Sequence, residues 1–155
     1  MGHHQIEDFW KAYKSSDQGT DAPANPCLSE QFGDSPEMAD ELGTLIVAGI
    51  KTATCSALWE YEAEQKPLPS SGTRLIVLDG SNTPLCIIET TEVNICAFSE
   101  VDARFAADEG EGDHSLKYWR EAHWEFFARS LAKINRQPSE NMPLVCERFQ
   151  VIFHW

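Results

Sequence analysis

The feature that most constrains this chain is a pair of apolar runs separated by turn residues. Leu75-Ile-Val-Leu78 is followed by Asp79-Gly-Ser-Asn82 and then by Leu85-Cys-Ile-Ile88. Short apolar runs joined by Asp, Gly, Ser and Asn predict an antiparallel hairpin, because those residues turn the backbone tightly while the flanks favour extended structure. Strand character continues through Thr90, Val93 and Ile95, and the run from Leu144 to Trp155 alternates well enough to be a closing strand.

The flanking segments carry helical periodicity instead. Ile6, Phe9, Trp10 and Tyr13 recur at helical spacing and predict a short amphipathic helix packed on the body. The stretch from Ser15 to Asp34 reads as loop. Ser35 offers an N-cap and Pro36 a first helical position, opening a helix through Met38, Leu42, Leu45 and Ile46 that stops near Gly49. A further helical piece is expected over Ser56 to Gln65, ending before Pro67 and Pro69, and another over Ser99 to Asp108. Leu116, Trp119, Ala122, His123, Phe126, Phe127 and Leu131 fall three and four apart, the mark of a helix with a broad buried face. Helices on either side of strands place the chain in the α+β class.

At 155 residues the chain fits one ordinary domain. The first 35 residues read as a helix and loop extension, and residues 36–155 as the domain proper. Cys27, Cys55, Cys86, Cys96 and Cys146 are odd in number and never form C-x-x-C. That spacing argues against a disulfide framework, a zinc ribbon or a disulfide-linked partner, and for a reducing compartment. Met1 is followed by a polar, acid-containing segment, and no stretch approaches the ~20 apolar residues of a membrane helix, so the expected setting is cytoplasmic, with no membrane partner.

The net charge of −13 weighs against a protein that grips a long phosphate backbone. It is unevenly spread: before residue 49 stand nine acids against Lys11 and Lys14. Recognition of one or a few nucleotides fits this balance better than a long RNA footprint does, and a solubilising surface is the plain alternative.

Three patterns could carry chemistry. Lys51 and Thr54 stand three apart beyond a helix end, so a continued helical turn would put ammonium and hydroxyl on one face. A lysine there could activate the hydroxyl, hold an anion, or simply sit at the surface where the helix dipole favours it. The second pattern is Asp108-Glu-Gly-Glu-Gly-Asp113, four acids in six residues that repel unless solvated, bound to a cation or facing a base. Within it Asp113 suits an N-cap for the next helix, and Glu109 could turn inward. The third is the helix bearing Trp119, Arg120 and His123. Histidine suits proton transfer near neutral pH, while Trp119 could stack on a base or belong to the core. No glycine-rich phosphate loop, H-E-x-x-H, G-x-S-x-G or pair of cysteine clusters occurs.

Taken in order, Gly49-Ile-Lys-Thr-Ala-Thr54, Leu68-Pro-Ser-Ser-Gly72, Glu89-Thr-Thr-Glu-Val93, Phe105-Ala-Ala-Asp-Glu-Gly-Glu-Gly-Asp113, Tyr118-Trp-Arg120 with His123, and Cys146-Glu-Arg-Phe149 resemble the ASCH family. The resemblance spans roughly residues 36 to 153 and is to the longer bacterial members with an extra N-terminal helical segment. It implies a PUA-like fold, a small β-barrel with flanking helices and a cleft beside it.

The family resemblance also implies RNA or nucleoside handling. Two activities described in the family are ribonuclease activity in a long member and deacetylation of N4-acetylcytidine in a shorter one. The lysine, threonine and glutamate of the second fall on Lys51, Thr54 and Glu109, which become the expected catalytic residues. Thr52, Trp119, Arg120 and His123 become expected substrate contacts. The leading expectation is a hydrolase that cleaves single-stranded RNA, with Lys51 on the phosphoryl group and Glu109 or His123 moving protons. A divalent metal ion held by Glu109, Glu111 or Asp113 is a further option. The rivals are an amidohydrolase acting on a modified nucleoside, with Thr54 as nucleophile, and a non-catalytic module that binds RNA or a regulatory ligand.

Overall fold

The computed structural model describes residues 2–155, apart from the side chains of residues 2–4 and 18. Among the described residues are five α-helices and five strands in a sheet of order β1-β3-β4-β5-β2, so the chain is α+β as its periodicities predict. The elements are α1 (Gly2–Lys14), β1 (Ser29–Gln31), α2 (Pro36–Val47), β2 (Ala53–Ala57), α3 (Leu58–Glu64), β3 (Arg74–Leu78), β4 (Pro84–Ala97), α4 (Ala103–Glu109), α5 (Leu116–Ala132) and β5 (Pro143–His154). The chain packs as two compact units, and β4 and β5 pass through both.

The first unit comprises residues 1–49, 72–90 and 149–155. The predicted hairpin is its centre: β3 pairs antiparallel with β4, Ile76 opposite Ile87 and Val77 opposite Cys86. Asp79 closes the turn by accepting from the backbone N–H groups of Ser81 and Thr83. Because side chains alternate along a strand, Ile76 and Leu78 pack with Phe9, Trp10 and Tyr13 of α1, while Val77 packs with Ile46 of α2, Cys86 and Phe149. A strand buried on both faces explains the unbroken apolar run. Ser35 caps α2 as its position suggested, accepting from the Met38 N–H at 3.1 Å. The segment read as loop before it holds β1, which pairs parallel with β3, Ser29 opposite Ile76. At three polar residues β1 carries no apolar alternation to reveal it.

The second unit comprises residues 50–71 and 91–148. Its core gathers Ala53 and Ala57 of β2, Phe105 and Ala106 of α4, Trp119, Phe127 and Leu131 of α5, and Leu144 and Cys146 of β5, with Phe98, Val101 and Met142. Three local readings change here. The helix expected from Ser56 is preceded by β2, which pairs antiparallel with β5, and begins only at Leu58. The helix expected over Ser99 to Asp108 is a single 3-10 turn, Phe98–Glu100, followed by α4, which Asp102 caps by accepting from the Phe105 N–H. The N-cap of α5 is Ser115, which accepts from the Tyr118 N–H; Asp113 accepts from the Ser115 N–H one step earlier. No helix among the described residues is long and apolar enough to cross a membrane.

Candidate functional site

The end of α4 and the start of β2 build the site together. α4 ends at Glu109 because Gly110 takes a left-handed conformation, φ +71°, and its N–H bonds the Ala107 carbonyl. A β-carbon at Gly110 would lie 2.6 Å from the Ile50 carbonyl oxygen, so only glycine lets the two backbones approach this closely. The Thr52 N–H donates to the Asp108 carbonyl at 2.8 Å, and the Thr52 hydroxyl leans on the same oxygen at 3.4 Å. This docking delivers Lys51 against Glu109. Gly110→Ala is accordingly expected to cost about 1–3 kcal/mol through backbone strain alone, read as a lowered midpoint in urea unfolding; an unchanged midpoint would show the close approach to be unimportant.

Lys51 and Glu109 are each 1 % exposed and form an ion pair at 2.8 Å. The Lys51 ammonium also donates to the Ala53 carbonyl at 2.9 Å and to Glu111 Oε2 at 3.0 Å, and sits 3.4 Å from the Glu109 carbonyl. Its three protons are spoken for. On the other side of the carboxylate, Trp119 Nε1–H donates to Glu109 Oε2 at 2.8 Å, and His123 Nε2 lies 3.4 Å from the same oxygen. His123 stacks on Trp119, centroids 4.3 Å apart, and its Nδ1 is 2.9 Å from the Trp119 carbonyl. A carbonyl can only accept, so Nδ1 carries a proton and Nε2 is the nitrogen that gives and takes one.

Burial opposes charge on all three groups, and their mutual attraction overrides it. Burial pushes the Glu109 carboxyl up, but the Lys51 charge and the hydrogen bond and charge of His123 hold it well below the usual carboxylate range. Burial pulls Lys51 down, yet Glu109 and Glu111 leave it raised. For His123 likewise, burial lowers and Glu109, then Glu111 and the Trp119 carbonyl, raise, with a net rise. The cluster is a carboxylate between an ammonium and an imidazole, of which His123, 12 % exposed, is the outward member.

The residues expected at the site are only partly brought together. Lys51, Glu109, Trp119 and His123 meet as described, and Glu111 serves Lys51. Thr54 does not join them: it lies within β2, not on a helical turn, and alternation turns it to the face opposite Ala53, Cys55 and Ala57. Its hydroxyl is not among the partners of Lys51. Trp119 is 2 % exposed, so its ring is core and is closed to a stacking base. Arg120 is exposed and donates to the Ser99 carbonyl at 3.3 Å. Asp113 is exposed and held by Ser115, apart from Glu109.

Cys55 is the member the sequence reading missed. Its Sγ, a Glu109 oxygen and a His123 nitrogen all lie within 4.8 Å of one another, the combination among the described residues best placed to ligate an ion. Burial, the Glu109 charge and the neighbouring Cys146 push its thiol well above the usual range, which keeps it protonated and unreactive. The signal was present as alternation of Ala53, Cys55 and Ala57, too weakly apolar to announce a strand. On the adjoining β5, Cys146 stands opposite Cys55 in register and lies 3.6 Å, sulfur to sulfur, from Cys96. Both line a cavity of about 310 Å³ with Glu92, Asp102, Phe105 and Arg148. Arg148 is held there by Asp108 and Glu92.

Comparison with known proteins gives the chain its place. The model of the ASCH domain matches residues 28–153. Protein EF3133 from Enterococcus faecalis V583 is 40 % identical, with a TM-score of 0.86 over 97 % of this chain and 89 % of that one. An ASCH domain from Lactobacillus crispatus JV V101 is 33 % identical, with a TM-score of 0.89 over 97 % of this chain and 96 % of that one. No protein of curated function matches the sequence. The PUA-like α+β fold expected from the motifs is therefore the fold of these structures, and the chain belongs to the ASCH domain family.

Proposed function

We propose that this protein is a ribonuclease acting on short single-stranded RNA in a reducing, cytoplasmic setting, with His123 as the group that moves the proton. The observation that carries the reading is the Glu109–His123 pair. It is an acid–base pair with no active nucleophile beside it among the described residues, since Thr54 faces away and the Cys55 thiol is held protonated. RNA brings its own nucleophile, the 2′-hydroxyl. That oxygen attacks the adjacent phosphorus, a 2′,3′-cyclic phosphate forms, and the bond to the 5′-oxygen breaks. The His123 imidazolium, whose Nε2–H is held only loosely by Glu109 at 3.4 Å, protonates the departing 5′-oxygen, while the 2′ proton leaves to water. Glu109 keeps His123 charged and oriented, and Lys51 and Trp119 keep Glu109 in place, so Lys51 acts as a positioning residue and not as a phosphate contact. Arg120, three residues before His123 on α5 and exposed, is the cation for the phosphate.

The unit that carries the cluster holds fourteen Asp and Glu against nine Lys and Arg, which supports a footprint of a few nucleotides. The same charge favours the second reading, hydrolysis of an uncharged acylated cytidine, with water as the attacking group because Thr54 faces away.

One assay separates them. EDTA-treated wild-type and Thr54→Ala protein are incubated with labelled single-stranded RNA and with N4-acetylcytidine. RNA fragments ending in cyclic phosphate, from both proteins, are the expected result. Cytidine without RNA fragments would replace the ribonuclease by the amidohydrolase, and loss of either activity in Thr54→Ala would restore the threonine to the mechanism. No product from either substrate would leave a binding module.

A further inference from the structure

We infer that Cys55, Glu109 and His123 form a binding site for a zinc-class divalent cation, and that filling it switches the protein off. The three supply a thiolate, a carboxylate and an imidazole, the donor set that borderline-soft zinc prefers and that magnesium and calcium avoid. They come from β2, α4 and α5, and their ligand atoms already lie within 4.8 Å of one another. The separation of 3.4 Å between His123 Nε2 and Glu109 Oε2 is about the edge of a tetrahedron of bonds ~2.0–2.1 Å long.

The surroundings are those of a supported site. Metal-binding histidines typically donate their second N–H to a carbonyl, as His123 Nδ1 does to Trp119. Glu109 is fixed by Trp119 Nε1–H on Oε2 and by Lys51 on Oε1, which leaves an Oε2 lone pair for the ion. Three protein ligands leave a fourth position for water. Binding exchanges protons for the ion: the Cys55 thiol releases its proton to solvent, as does any proton on His123 Nε2, while Lys51, Glu109 and Glu111 are unchanged.

The switching half rests on the ribonuclease reading, because an ion on Nε2 takes the lone pair through which His123 carries its proton. The binding half does not.

The test is a titration of reduced, metal-free protein with Co²⁺. Wild type is expected to bind one ion per chain, with a near-ultraviolet thiolate-to-cobalt charge-transfer band and the visible bands of a tetrahedral ion. Cys55→Ser should lose the charge-transfer band, and His123→Gln should weaken binding at least tenfold. No band in wild type, or an undiminished band in Cys55→Ser, would overturn the site. Should Cys55→Ser fail to fold by circular dichroism, zinc-edge absorption of wild type decides: one sulfur among otherwise nitrogen and oxygen neighbours supports the site, and none or two overturns it. Zn²⁺ should abolish RNA cleavage and EDTA restore it. Binding without any RNA cleavage by the metal-free protein keeps the site and removes the ribonuclease. Cleavage that persists with the ion bound overturns the switch.

Discussion

Lys51→Met is expected to destabilise the protein at neutral pH by about 3–5 kcal/mol, because it leaves the buried Glu109 carboxylate short of its closest cation. For a chain of this length that is a fall of roughly 10 °C or more in melting temperature. Methionine fills much of the space of the lysine stem, so the loss reports charge and not a cavity. Glu109 has a depressed folded-state pKa, so its contribution is present above the ordinary carboxyl value of 4.5 and is lost as pH falls below it toward the folded value. Lys51 and His123 are raised, and theirs persist below their ordinary values of 10.5 and 6.5 and fade as pH rises through the folded ones. The deficit of Lys51→Met should therefore shrink as the medium is acidified below 4.5. Adding Glu109→Leu should recover part of the lost stability, since an apolar pair avoids the desolvation of both charges but leaves the buried Trp119 Nε1–H without its acceptor. Urea unfolding of the two variants at neutral and acid pH checks this, and a deficit independent of pH would mean that Lys51 matters for packing.

The second large effect is on activity. His123→Ala should lower the rate of RNA cleavage by about 10²–10⁴-fold, the usual weight of a proton-transfer group, while leaving the fold intact because His123 lies at the rim of the cluster. As the acid form does the work, the wild-type rate should fall as pH rises through a His123 pKa above 6.5. Glu109→Gln should move that fall to lower pH by removing the largest raising influence, and Arg120→Ala should raise KM more than it lowers kcat. A His123→Ala enzyme with full activity would remove His123 from the reaction.

How much of this could be read in advance depended on what each residue had to signal. α1, α2 and α5 carry their apolar residues at regular spacing and the β3–β4 hairpin carries two unbroken apolar runs about a turn, and each is found where that pattern put it. Ser35 announced the start of α2 because the following Pro36 left it no other role. β1 and β2 escaped because one is polar and the other is built of Ala, Thr, Cys and Ser, small residues that pack without looking apolar. Missing β2 had a direct consequence at the site. Spacing on a helix put Thr54 beside Lys51, whereas spacing on a strand puts Cys55 inward and Thr54 outward. The acidic loop was legible as charge that needed a partner, but not which partner: Glu109 and Glu111 turn to Lys51, and Asp113 turns to Ser115. His123 and Trp119 were visible together as a helical pair. That the tryptophan supports Glu109 through its N–H, and does not stack on a base, required the tertiary structure.

The most direct test of the account is the titration of His123 by NMR in metal-free protein, followed in wild type and in Glu109→Gln. The cluster described here predicts an imidazole with Nδ1 protonated throughout, titrating at Nε2 above the ordinary value of 6.5, and a downward shift in Glu109→Gln. A wild-type value at or below 6.5, or one unmoved by Glu109→Gln, would contradict the carboxylate held between an ammonium and an imidazole on which the proposed chemistry rests.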